Sequence, residues 1–568
     1  MTVIDRAKNW LNLPFDADTQ KAVKQLLEND RDTLNDAFYK ELEFGTGGMR
    51  GVLGVGTNRI NAYTLGRATQ GLANYLNHCF GSDPIAVVIA YDCRHQSEQL
   101  SRLVAEIFSA NGIQVYLFSA LRTTPELSFA VRYLRAHAGI VLTASHNPPE
   151  YNGYKVYWKD GGQIVPPQDQ EIIDFIRKVD YSDIQFKGGN TGIQLIDKEV
   201  DEAFFKASVA HGRLGNGDRN AFSLVFTPIH GTSITAIPQV FEMAGYTQVH
   251  IVEEQAIIDP NFSTVKSPNP EEHEALKMAL SLAEKKKVDV VIGTDPDSDR
   301  LGIAVRDLKG DMLLLNGNQT MVVLTEYLLQ HHQKEGLNGN EFIASTIVST
   351  PLLRKMAEAY KVHYHETLTG FKWIGKLIHD HPELRFLGGG EESYGYLVGD
   401  FVRDKDAVTA SLLAAEIAAE LKAKGQTLLT YLIKCFVTYG CYHERLVSIT
   451  KKGQSGAQEI EAMMQRFRAH PPEIIADERV LFTEDYLTQT KTNQRSKEQF
   501  AIDLPKADVF ILETENGTRI AARPSGTEPK IKFYFSVNDP LHSAADYTSV
   551  KDRLETRIDR LIEALEIS

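Results

Sequence analysis

Short apolar runs alternate with helical repeats along most of this chain. Strand-like runs with many β-branched residues include IAVVIAYD, QVYLF and LVFTPIHG, whereas LVAEIFSANG repeats its apolar residues at helical spacing. This alternation predicts α/β units with largely parallel strands. Apolar residues also recur at helical spacing over 18–43, which predicts one or two helices ahead of the first sheet. No short fixed period is evident, so a solenoid is disfavoured.

The pattern changes after the helical repeat at residues 407–424. Three later stretches are typical of strands, namely HERLVSIT, TRIAARPSG and KIKFYFSV. The last stretch, VKDRLETRIDRLIEALEI, predicts an amphipathic helix. We therefore expect a smaller α+β domain at this end of the chain.

Three apolar runs stop abruptly in polar loops that lie roughly a domain apart. They are GIVLTASHNPPEYNG, DVVIGTDPDSDR and RFLGGGEESYG. Ligands of open α/β sheets bind beyond the carboxyl ends of the strands. We therefore expect these three loops, one from each of three successive domains, to face a shared cleft.

The charge balance limits the partners. The 568 residues include 61 Lys plus Arg against 75 Asp plus Glu, a formal net charge of −14. That balance excludes a generally basic nucleic-acid binder and argues against a membrane surface as partner. A small anionic substrate can still bind where local loops reverse the sign. The composition, 43% apolar and 24% charged, is that of a globular protein, and the length suggests three or four domains of ~150 residues.

The termini and cysteines predict a reduced, cytoplasmic protein. Charged residues interrupt the first thirteen positions, so no secretory signal is visible. The most apolar helical stretch, 408–421, contains Glu416 and Glu420, which excludes a membrane span. The four cysteines include no Cys-x-x-Cys pair and do not resemble a disulfide scaffold.

Three aspartates follow a strand-like run at alternate positions. Asp295, Asp297 and Asp299 can direct their carboxylates onto one hard cation, and oxygen ligands suit Mg²⁺ or Ca²⁺. An EF-hand is excluded because Arg300 and Arg306 occupy the positions of its Gly and Glu. Mg²⁺ with a phosphate as a further ligand fits better. The alternative is an acidic turn that only solvates the strand end, but crowding three like charges without a cation would cost stability.

A serine at the end of another apolar run is a candidate phosphoryl acceptor. Ser145 is followed by His146, and Lys155 lies ten residues further on. A hydroxyl can accept or donate a phosphoryl group when cations neutralise the transferring group and another residue handles the proton. The alternative is an ordinary Ser-x-Asn-Pro turn. The chain contains no Gly-x-Ser-x-Gly elbow, so a lipase-like triad loses support.

Two further loops offer groups that bind sugar phosphates. The segment ARPSGTEPKIKF has the chemistry of a phosphate cradle, although a polar hairpin loop is an equal alternative. Glu391 and Ser393 in GGGEESYG offer acceptors for sugar hydroxyls, but a surface turn explains them as well.

Nucleotide-binding motifs are incomplete. The segment 370–376 has the spacing of a P-loop, but Leu377 stands where Ser or Thr should hold the metal. In FGTGGMRG, Arg50 takes the place of the third Gly of a dinucleotide site. A site for ATP or for a Rossmann cofactor is therefore not supported.

Taken in order, FGTGGMRG, TASHNPPEYNGYK, DPDSDR, GEESYG and RPSGTEPKIK closely resemble the α-D-phosphohexomutase superfamily, and its phosphoglucomutase branch in particular. The resemblance extends from about residue 44 to about residue 537. It implies four domains around a central cleft, the first three mixed α/β sheets of similar topology and the fourth a smaller α+β domain. We expect their boundaries at 1–205, 206–312, 313–438 and 439–568.

The resemblance also implies a role for each candidate residue. Ser145 would be the phosphorylated serine, and Asp295, Asp297 and Asp299 would hold one Mg²⁺ per chain together with the Ser145 phosphate. Glu391 and Ser393 would hold sugar hydroxyls. The loop that grips the phosphate not being transferred would contain Arg523, Ser525, Gly526, Thr527 and Lys530. Basic positions near the reacting phosphate would be Arg50, Arg94, His146, Lys155, Arg300 and Lys405.

The segment TGFKWIG adds Thr369, Gly370 and Lys372 as expected substrate contacts. The general base stays open, since His146, Lys155 and Lys405 all have suitable chemistry.

The implied activity is the interconversion of glucose 1-phosphate and glucose 6-phosphate through a phosphoserine and a sugar bisphosphate. Glucose 1,6-bisphosphate is the expected activator, and no obligate protein partner is expected. GEESYG replaces the GEMSGH of phosphomannomutase/phosphoglucomutases, which makes mannose epimers less favoured. A phosphopentomutase, a phosphomannomutase and a glucose-1,6-bisphosphate synthase remain alternatives. Other classes are a non-catalytic sugar-phosphate binder and an ATP-dependent sugar kinase.

Overall fold

The structure, a computed structural model, describes residues 2–45, 47–81, 83–187, 192–451, 453–525 and 530–567. It contains two compact units. The first consists of residues 1–317 and 371–427, and the second of residues 318–370 and 428–568.

The first unit begins with three short helices, of which the second and third lie in the stretch 18–43 where one or two helices were predicted. They are α1 (Val3–Asn9), α2 (Ala17–Asn29) and α3 (Arg31–Phe38). Thr2, Asp16 and Asp30 cap their N-termini by accepting backbone N–H groups. Trp10 and Phe15 fill the space between these helices and the rest of the unit, with ring centroids 4.3 Å apart.

The first sheet has the strand order β1-β5-β4-β2-β3-β6. Its strands are β1 (Gly48–Val52), β2 (Ala86–Tyr91), β3 (Gln114–Phe118), β4 (Ala138–Leu142), β5 (Tyr151–Trp158) and β6 (Ile193–Ile196). Strands β2, β3, β4 and β6 are parallel, whereas β5 runs antiparallel to β4 and to β1. The accompanying helices are α4 (Ala62–Phe80), α5 (Ser97–Ala110), α6 (Thr124–Tyr133), α7 (Gln168–Arg177) and α8 (Lys198–Gly212). The loop 143–150 therefore lies at the carboxyl end of β4.

The second sheet has the order β11-β10-β9-β7-β8. Its strands are β7 (Ser223–Thr227), β8 (Gln248–Ile251), β9 (Val290–Thr294), β10 (Leu301–Arg306) and β11 (Met312–Leu315). Its helices are α9 (Ile237–Ala244), α10 (Glu253–Ala256) and α11 (Lys277–Lys286). Every residue of β9 is buried, as its continuous apolar run predicts. Strand β9 pairs antiparallel with β10, and residues 295–300 connect the two.

The first unit is completed by a helix, a hairpin and a long buried helix. They are α14 (Lys372–Asp380), the antiparallel pair β14 (Arg385–Glu391) and β15 (Gly395–Val398), and α15 (Ala407–Ala423). Asp406 caps α15 by accepting the N–H groups of Val408 and Thr409.

The second unit begins with α12 (Gly317–Glu335), β12 (Glu341–Thr346), α13 (Leu352–Tyr360) and β13 (His363–Thr367), with β12 and β13 parallel. Helix α16 (Leu428–Tyr439) leads into an antiparallel sheet of order β16-β23-β22-β21-β18-β19-β20. Its strands are β16 (Cys441–Thr450), β17 (Ile474–Ile475, paired with β18), β18 (Glu478–Asp485), β19 (Thr490–Asn493), β20 (Gln499–Ala501), β21 (Phe510–Thr514), β22 (Arg519–Pro524) and β23 (Lys530–Asp539).

Two helices accompany this sheet, α17 (Gly453–Ala469) and α18 (Tyr547–Ala564). Helix α18 buries Val550, Leu554, Ile558 and Leu561 at helical spacing. The predicted α/β class and the change to an α+β end are therefore confirmed, while the predicted domain boundaries stay predictions. Among the described residues, no helix is long and apolar enough to cross a membrane.

Candidate active site

The serine loop follows β4. The buried strand delivers Ser145 three residues after its end, with a left-handed backbone (φ 51°) and a side chain that is almost fully buried. The backbone N–H of Ser145 donates to Thr143 Oγ1 at 2.8 Å. A serine in this backbone region is uncommon and needs support from its surroundings.

Arg94 supplies much of that support. Its guanidinium donates to the carbonyl oxygens of Ser145 and Asn147, both at 2.5 Å, and to those of Pro148 at 2.8 Å and Tyr151 at 3.0 Å. These bonds support a role for Arg94 in holding the loop. The predicted contact of Arg94 with the substrate stays a prediction.

The aspartate loop, which we define as residues 295–299, follows β9. Asp295, Asp297 and Asp299 are buried, and one oxygen from each lies within 4.8 Å of the other two. Ser145 Oγ donates to Asp295 Oδ2 at 2.7 Å, so the serine loop and the aspartate loop meet. The second oxygen, Asp295 Oδ1, accepts the N–H groups of Asp299 and Arg300, each at 3.0 Å.

The oxygens of this loop fit a divalent cation. Oδ1 of Asp297 and Oδ1 of Asp299 are buried without a hydrogen-bond partner, which is costly for a carboxylate unless a ligand meets it. Burial, together with the negative charges of Asp297 and Asp299, raises the pKa of Asp295 well above its usual value. Hard oxygen donors of this kind are typical of Mg²⁺ sites, as the sequence predicts.

Two lysines compensate part of the charge. Lys155, on β5, lies 2.6 Å from Asp297 Oδ2 and 2.9 Å from Asp299 Oδ2, and Lys405 lies 3.1 Å from Asp299 Oδ2. Burial by itself lowers the pKa of both lysines. The nearby carboxylates have the larger effect, so the pKa of each lysine is raised. Both side chains are therefore held as cations.

The position of Lys405 depends on three further residues. Its Nζ lies 3.1 Å from Asp404 Oδ1, and Tyr157 donates its hydroxyl to Asp404 Oδ2 at 2.7 Å. Lys405 also passes directly over Gly395, where a Cβ would lie 2.3 Å from its Cδ. Asp404 and Tyr157 were not predicted from the sequence, although Asp404 directly precedes the predicted Lys405.

The remaining basic candidates have different surroundings. Arg300 donates to the carboxylate of Glu271, which the sequence analysis did not identify. Arg50 is exposed and donates to Asn147 Oδ1 at 2.8 Å. His146 Nδ1 lies 3.2 Å from Ser145 Oγ. Burial, and then the positive charge of Arg300, lowers the pKa of His146 well below its usual value, so its ring is neutral.

Three predicted substrate residues also belong to this unit. Glu391 ends β14, and burial raises its pKa to about 7. Ser393 lies half-buried in the turn that follows. Lys372 is the first residue of α14, and burial lowers its pKa to about 8. The adjacent Phe371 has its ring 5.7 Å from Lys405 Nζ, so the start of α14 lies beside that lysine.

The other predicted substrate residues belong to the second unit. Arg523 lies near the end of β22, and the N–H of Ser525, just after β22, donates to the carbonyl of Lys530, the first residue of β23, at 2.7 Å. Gly526 and Thr527 lie outside the described residues. Thr369 and Gly370 follow β13, and Gly370 has a positive φ of 106°. A phosphate-binding role for these residues stays a prediction.

Thr124, which was not predicted from the sequence, also contacts the aspartate loop. Thr124 Oγ1 donates to Asp297 Oδ2 at 2.9 Å, and its backbone N–H donates to the Asp297 carbonyl at 2.9 Å. The available signal is the preceding helix cap, Thr123-x-x-Glu126, in which Thr123 accepts the N–H of Glu126 at 3.2 Å. That cap locates the start of α6 at the carboxyl end of β3, where ligands are expected.

Known proteins resemble this chain over most of its length. Three family sequence models match in order: phosphoglucomutase/phosphomannomutase α/β/α domain I at residues 41–183, domain II at 204–310 and domain III at 316–436. The chain is 39% identical over 537 residues to a phosphoglucomutase of Staphylococcus epidermidis, covering 93% of this chain and 96% of that protein. It is 40% identical over 544 residues to one of Staphylococcus aureus, covering 94% and 96%.

Solved structures with a similar fold have much lower identity. Parafusin from Paramecium, a phosphoglucomutase in an open form, matches with a TM-score of 0.68 and 18% identity, over 92% of this chain and 95% of its own. A phosphoglucomutase/phosphomannomutase family protein from Burkholderia thailandensis matches with a TM-score of 0.67 and 19% identity, over 92% and 98%. These two likenesses concern the fold alone.

Proposed function

This chain belongs to the α-D-phosphohexomutase superfamily, in its phosphoglucomutase branch, and we propose that it interconverts glucose 1-phosphate and glucose 6-phosphate through phospho-Ser145. One observation carries the proposal. Ser145 Oγ lies 2.7 Å from a carboxylate of the aspartate loop, whose free oxygens suit a cation. A hydroxyl, a cation site and two fixed ammonium groups are the parts that phosphoryl transfer requires.

The reaction balances without ATP. The free hydroxyl of the sugar phosphate forms a new P–O bond to the phosphoryl group of phospho-Ser145 and loses its proton to a base, while the P–Oγ bond breaks and Ser145 Oγ takes up a proton. The resulting glucose 1,6-bisphosphate reorients, and its other phosphoryl group is transferred to Ser145 Oγ, which gives up its proton. The sugar oxygen that loses this group regains a proton. Free glucose 1,6-bisphosphate acts as the activator because it phosphorylates Ser145 in the resting enzyme.

The two lysines of the site offset the negative charge of the transferring phosphoryl group. Lys155 and Lys405 are held cationic beside the aspartate loop, so they offset negative charge on the equatorial phosphoryl oxygens. One Mg²⁺, held by Asp295, Asp297 and Asp299 with Ser145, would supply further positive charge there. Arg50 and Arg300 are proposed to contact the same phosphoryl group.

Proton handling at the serine is assigned to His146. Its neutral ring has Nδ1 3.2 Å from Ser145 Oγ, which is within reach for a proton exchange with that oxygen. Lys155 and Lys405 are poorer bases, since their carboxylate partners stabilise the protonated forms.

Further substrate contacts are proposed for residues of each unit. Glu391 and Ser393 accept its hydroxyls, and Lys372 contacts an anionic oxygen. Arg523, Ser525, Gly526, Thr527 and Lys530, with Thr369 and Gly370, grip the phosphate that is not being transferred. This assignment rests on the family pattern and on the cationic and hydroxyl chemistry of these residues.

A coupled assay tests the proposal. Glucose 6-phosphate should form from glucose 1-phosphate without ATP, faster with a trace of glucose 1,6-bisphosphate, and chelation of Mg²⁺ should abolish the conversion. Ser145→Ala should lower kcat by at least about 10³-fold, because the phosphoryl acceptor is lost. Phosphate on Ser145 should be found by peptide mass analysis of the active protein. Full activity of Ser145→Ala would falsify the assignment.

Substrate choice is tested in the same assay. Glucose 1-phosphate should give a higher kcat/KM than mannose 1-phosphate or ribose 1-phosphate. A preference for ribose 1-phosphate would identify a phosphopentomutase instead.

A further inference from the structure

A strained turn lies beneath the aspartate loop. The seat turn, which we define as residues 228–232, follows β7, and its buried residues Ile229 and His230 have positive φ angles of 45° and 62°. A β-branched residue with positive φ is an outlier, and two consecutive left-handed residues persist only when their surroundings fix them. The proposed reaction gives neither residue a chemical role.

The surroundings of His230 do fix the seat turn. Its backbone N–H donates to the Gln255 carbonyl at 2.8 Å, and ring Nδ1 donates to the Ile257 carbonyl at 2.7 Å. Ring Nε2 lies 2.8 Å from Thr264 Oγ1. Both ring nitrogens of His230 therefore have hydrogen-bond partners, and these contacts fix the strained backbone of the seat turn.

The seat turn contacts the aspartate loop at Pro296, between two of the carboxylates. The N–H and Oγ1 of Thr232 donate to the Pro296 carbonyl at 2.8 and 2.9 Å. Gly231 approaches so closely that an added Cβ would lie 2.5 Å from Pro296 Cα and 2.7 Å from its carbonyl oxygen. The backbones of the aspartate loop and of the seat turn are therefore in direct contact.

Thr124, the first residue of α6, also contacts the aspartate loop. Its two hydrogen bonds to Asp297 fix the carbonyl and the Oδ2 oxygen of that residue, and its side chain is fully buried. Asp297 Oδ1 is the oxygen left without a partner. The arrangement therefore orients one carboxylate oxygen with protein donors and presents the other for a ligand.

We propose that the seat turn and Thr124 are positioning elements that set the aspartate loop in its cation-binding geometry before the ion binds. The inference rests on the proposed Mg²⁺ site. Three carboxylates within 4.8 Å repel one another, so a loop held only by the ion would relax when the ion leaves. Contacts from outside the ligand set prevent that relaxation and keep the site preorganised.

The test measures Mg²⁺ affinity of the full-length, dephosphorylated protein by calorimetry, so it does not depend on turnover. Thr124→Val keeps the shape but loses the donation to Asp297 Oδ2, and we expect its Kd to rise about ten-fold. Thr124→Ser keeps the hydroxyl and should stay within about two-fold of the parent.

Gly231→Ala tests the seat turn. The new methyl group should displace Pro296 by about 1 Å to reach an ordinary contact distance, and we expect the Kd for Mg²⁺ to rise at least about ten-fold. Gly217→Ala is the matched control, since its Cβ would lie 2.6 Å from the carbonyl carbon of Ala419, in a contact that involves no residue of the site. The control should lose thermal stability and keep its Mg²⁺ affinity within about two-fold.

The outcomes separate the two claims. If the parent does not bind Mg²⁺, the metal assignment fails and this inference fails with it. If the parent binds Mg²⁺ but Thr124→Val and Gly231→Ala both stay within two-fold, only the positioning role is overturned. It is also overturned if Gly217→Ala weakens binding as much as Gly231→Ala, or if Thr124→Ser does not restore affinity. Should Gly231→Ala fail to fold, the Thr124 pair decides.

Discussion

Two charged clusters of this protein differ in how completely their polar atoms are paired. One is the aspartate loop of the first unit. The other is the arginine row of α18 in the second unit, where Arg553, Arg557 and Arg560 pair with Asp539, Glu478 and Asp477 at 3.0, 2.5 and 2.6 Å. Each cluster has three charges of one sign on closely spaced residues.

The arginine row is closed by its own partners. Arg557 donates to Glu478, to the Asn538 carbonyl at 3.0 Å and to Thr518 Oγ1 at 2.6 Å. The second oxygen of Glu478 accepts from Thr514 Oγ1 at 2.6 Å. The aspartate loop, by contrast, keeps two buried carboxylate oxygens without a donor. The difference indicates that the arginine row stabilises the fold, whereas the aspartate loop is complete only with a ligand.

The largest effect expected from this comparison concerns the aspartate loop. Asp295→Asn should lower kcat about 10²- to 10³-fold, because one cation ligand is weakened. The free energy of unfolding without Mg²⁺ should rise by up to about 1 kcal/mol, since the raised pKa of Asp295 means that its charged form is disfavoured there. Thermal unfolding with and without Mg²⁺ checks this, and the Mg²⁺-dependent rise of Tm should shrink. A metal-free variant less stable than the parent would contradict the contrast.

In the arginine row, by contrast, a substitution should lower stability and leave kcat almost unchanged. Arg557→Ala leaves the buried Glu478 carboxylate without its cation and should lower the free energy of unfolding by about 2–3 kcal/mol. The kcat of the folded fraction should change less than about two-fold, because the row has no assigned role in turnover. Denaturant unfolding and the coupled assay measure the two quantities. A large loss of kcat with unchanged stability would show that the arginine row serves activity.

Lys372 gives an intermediate case and a pH dependence. Its pKa of about 8 means that the ammonium is charged below pH 8 and neutral above it. If that charge binds the substrate, kcat/KM should fall about five-fold between pH 7 and about pH 8.7. Lys372→Arg keeps the charge at both pH values and should flatten the profile. An unchanged alkaline limb in this variant would assign the titration to another group.

The smallest effect is expected at the exposed end of the arginine row. The side chains of Arg560 and Asp477 are 57% and 88% exposed, so their ion pair is screened by solvent. Arg560→Ala should change the free energy of unfolding by less than about 0.5 kcal/mol. Both Arg557→Ala and Arg560→Ala remove one positive charge from α18, but only Arg557→Ala removes a buried ion pair. Comparing the two variants therefore separates these effects. Equal destabilisation by the two would contradict the burial argument.

Much of the fold followed from local patterns. The run IAVVIAYD contains β2, the one or two helices expected over 18–43 are α2 and α3, and the strand-like stretches after residue 440 include β16, β22 and β23. These predictions succeeded because apolar spacing and length are properties of a short window. The antiparallel insertion of β5 between β1 and β4 had no such local signal.

The residues of the candidate site also fall into those that a local pattern predicted and those that it did not. Three alternating aspartates directly after a buried strand indicate a cation site within a five-residue segment, and Ser145 follows a strand of the same kind. Thr124, Tyr157 and Asp404 were missed because their partners are far away in the chain. Thr124 meets Asp297 across 173 residues, and Tyr157 meets Asp404 across 247.

The sequence by itself therefore determined the alternation of strands and helices, the chemistry of each loop and the family. Tertiary structure alone decided which loops meet, which carboxylate oxygens receive donors and which remain free. The physical reason is that a hydrogen bond between distant residues depends on strand order and on the close approach of backbones, as at Gly231 and Pro296. Neither property is present in any short stretch of the chain.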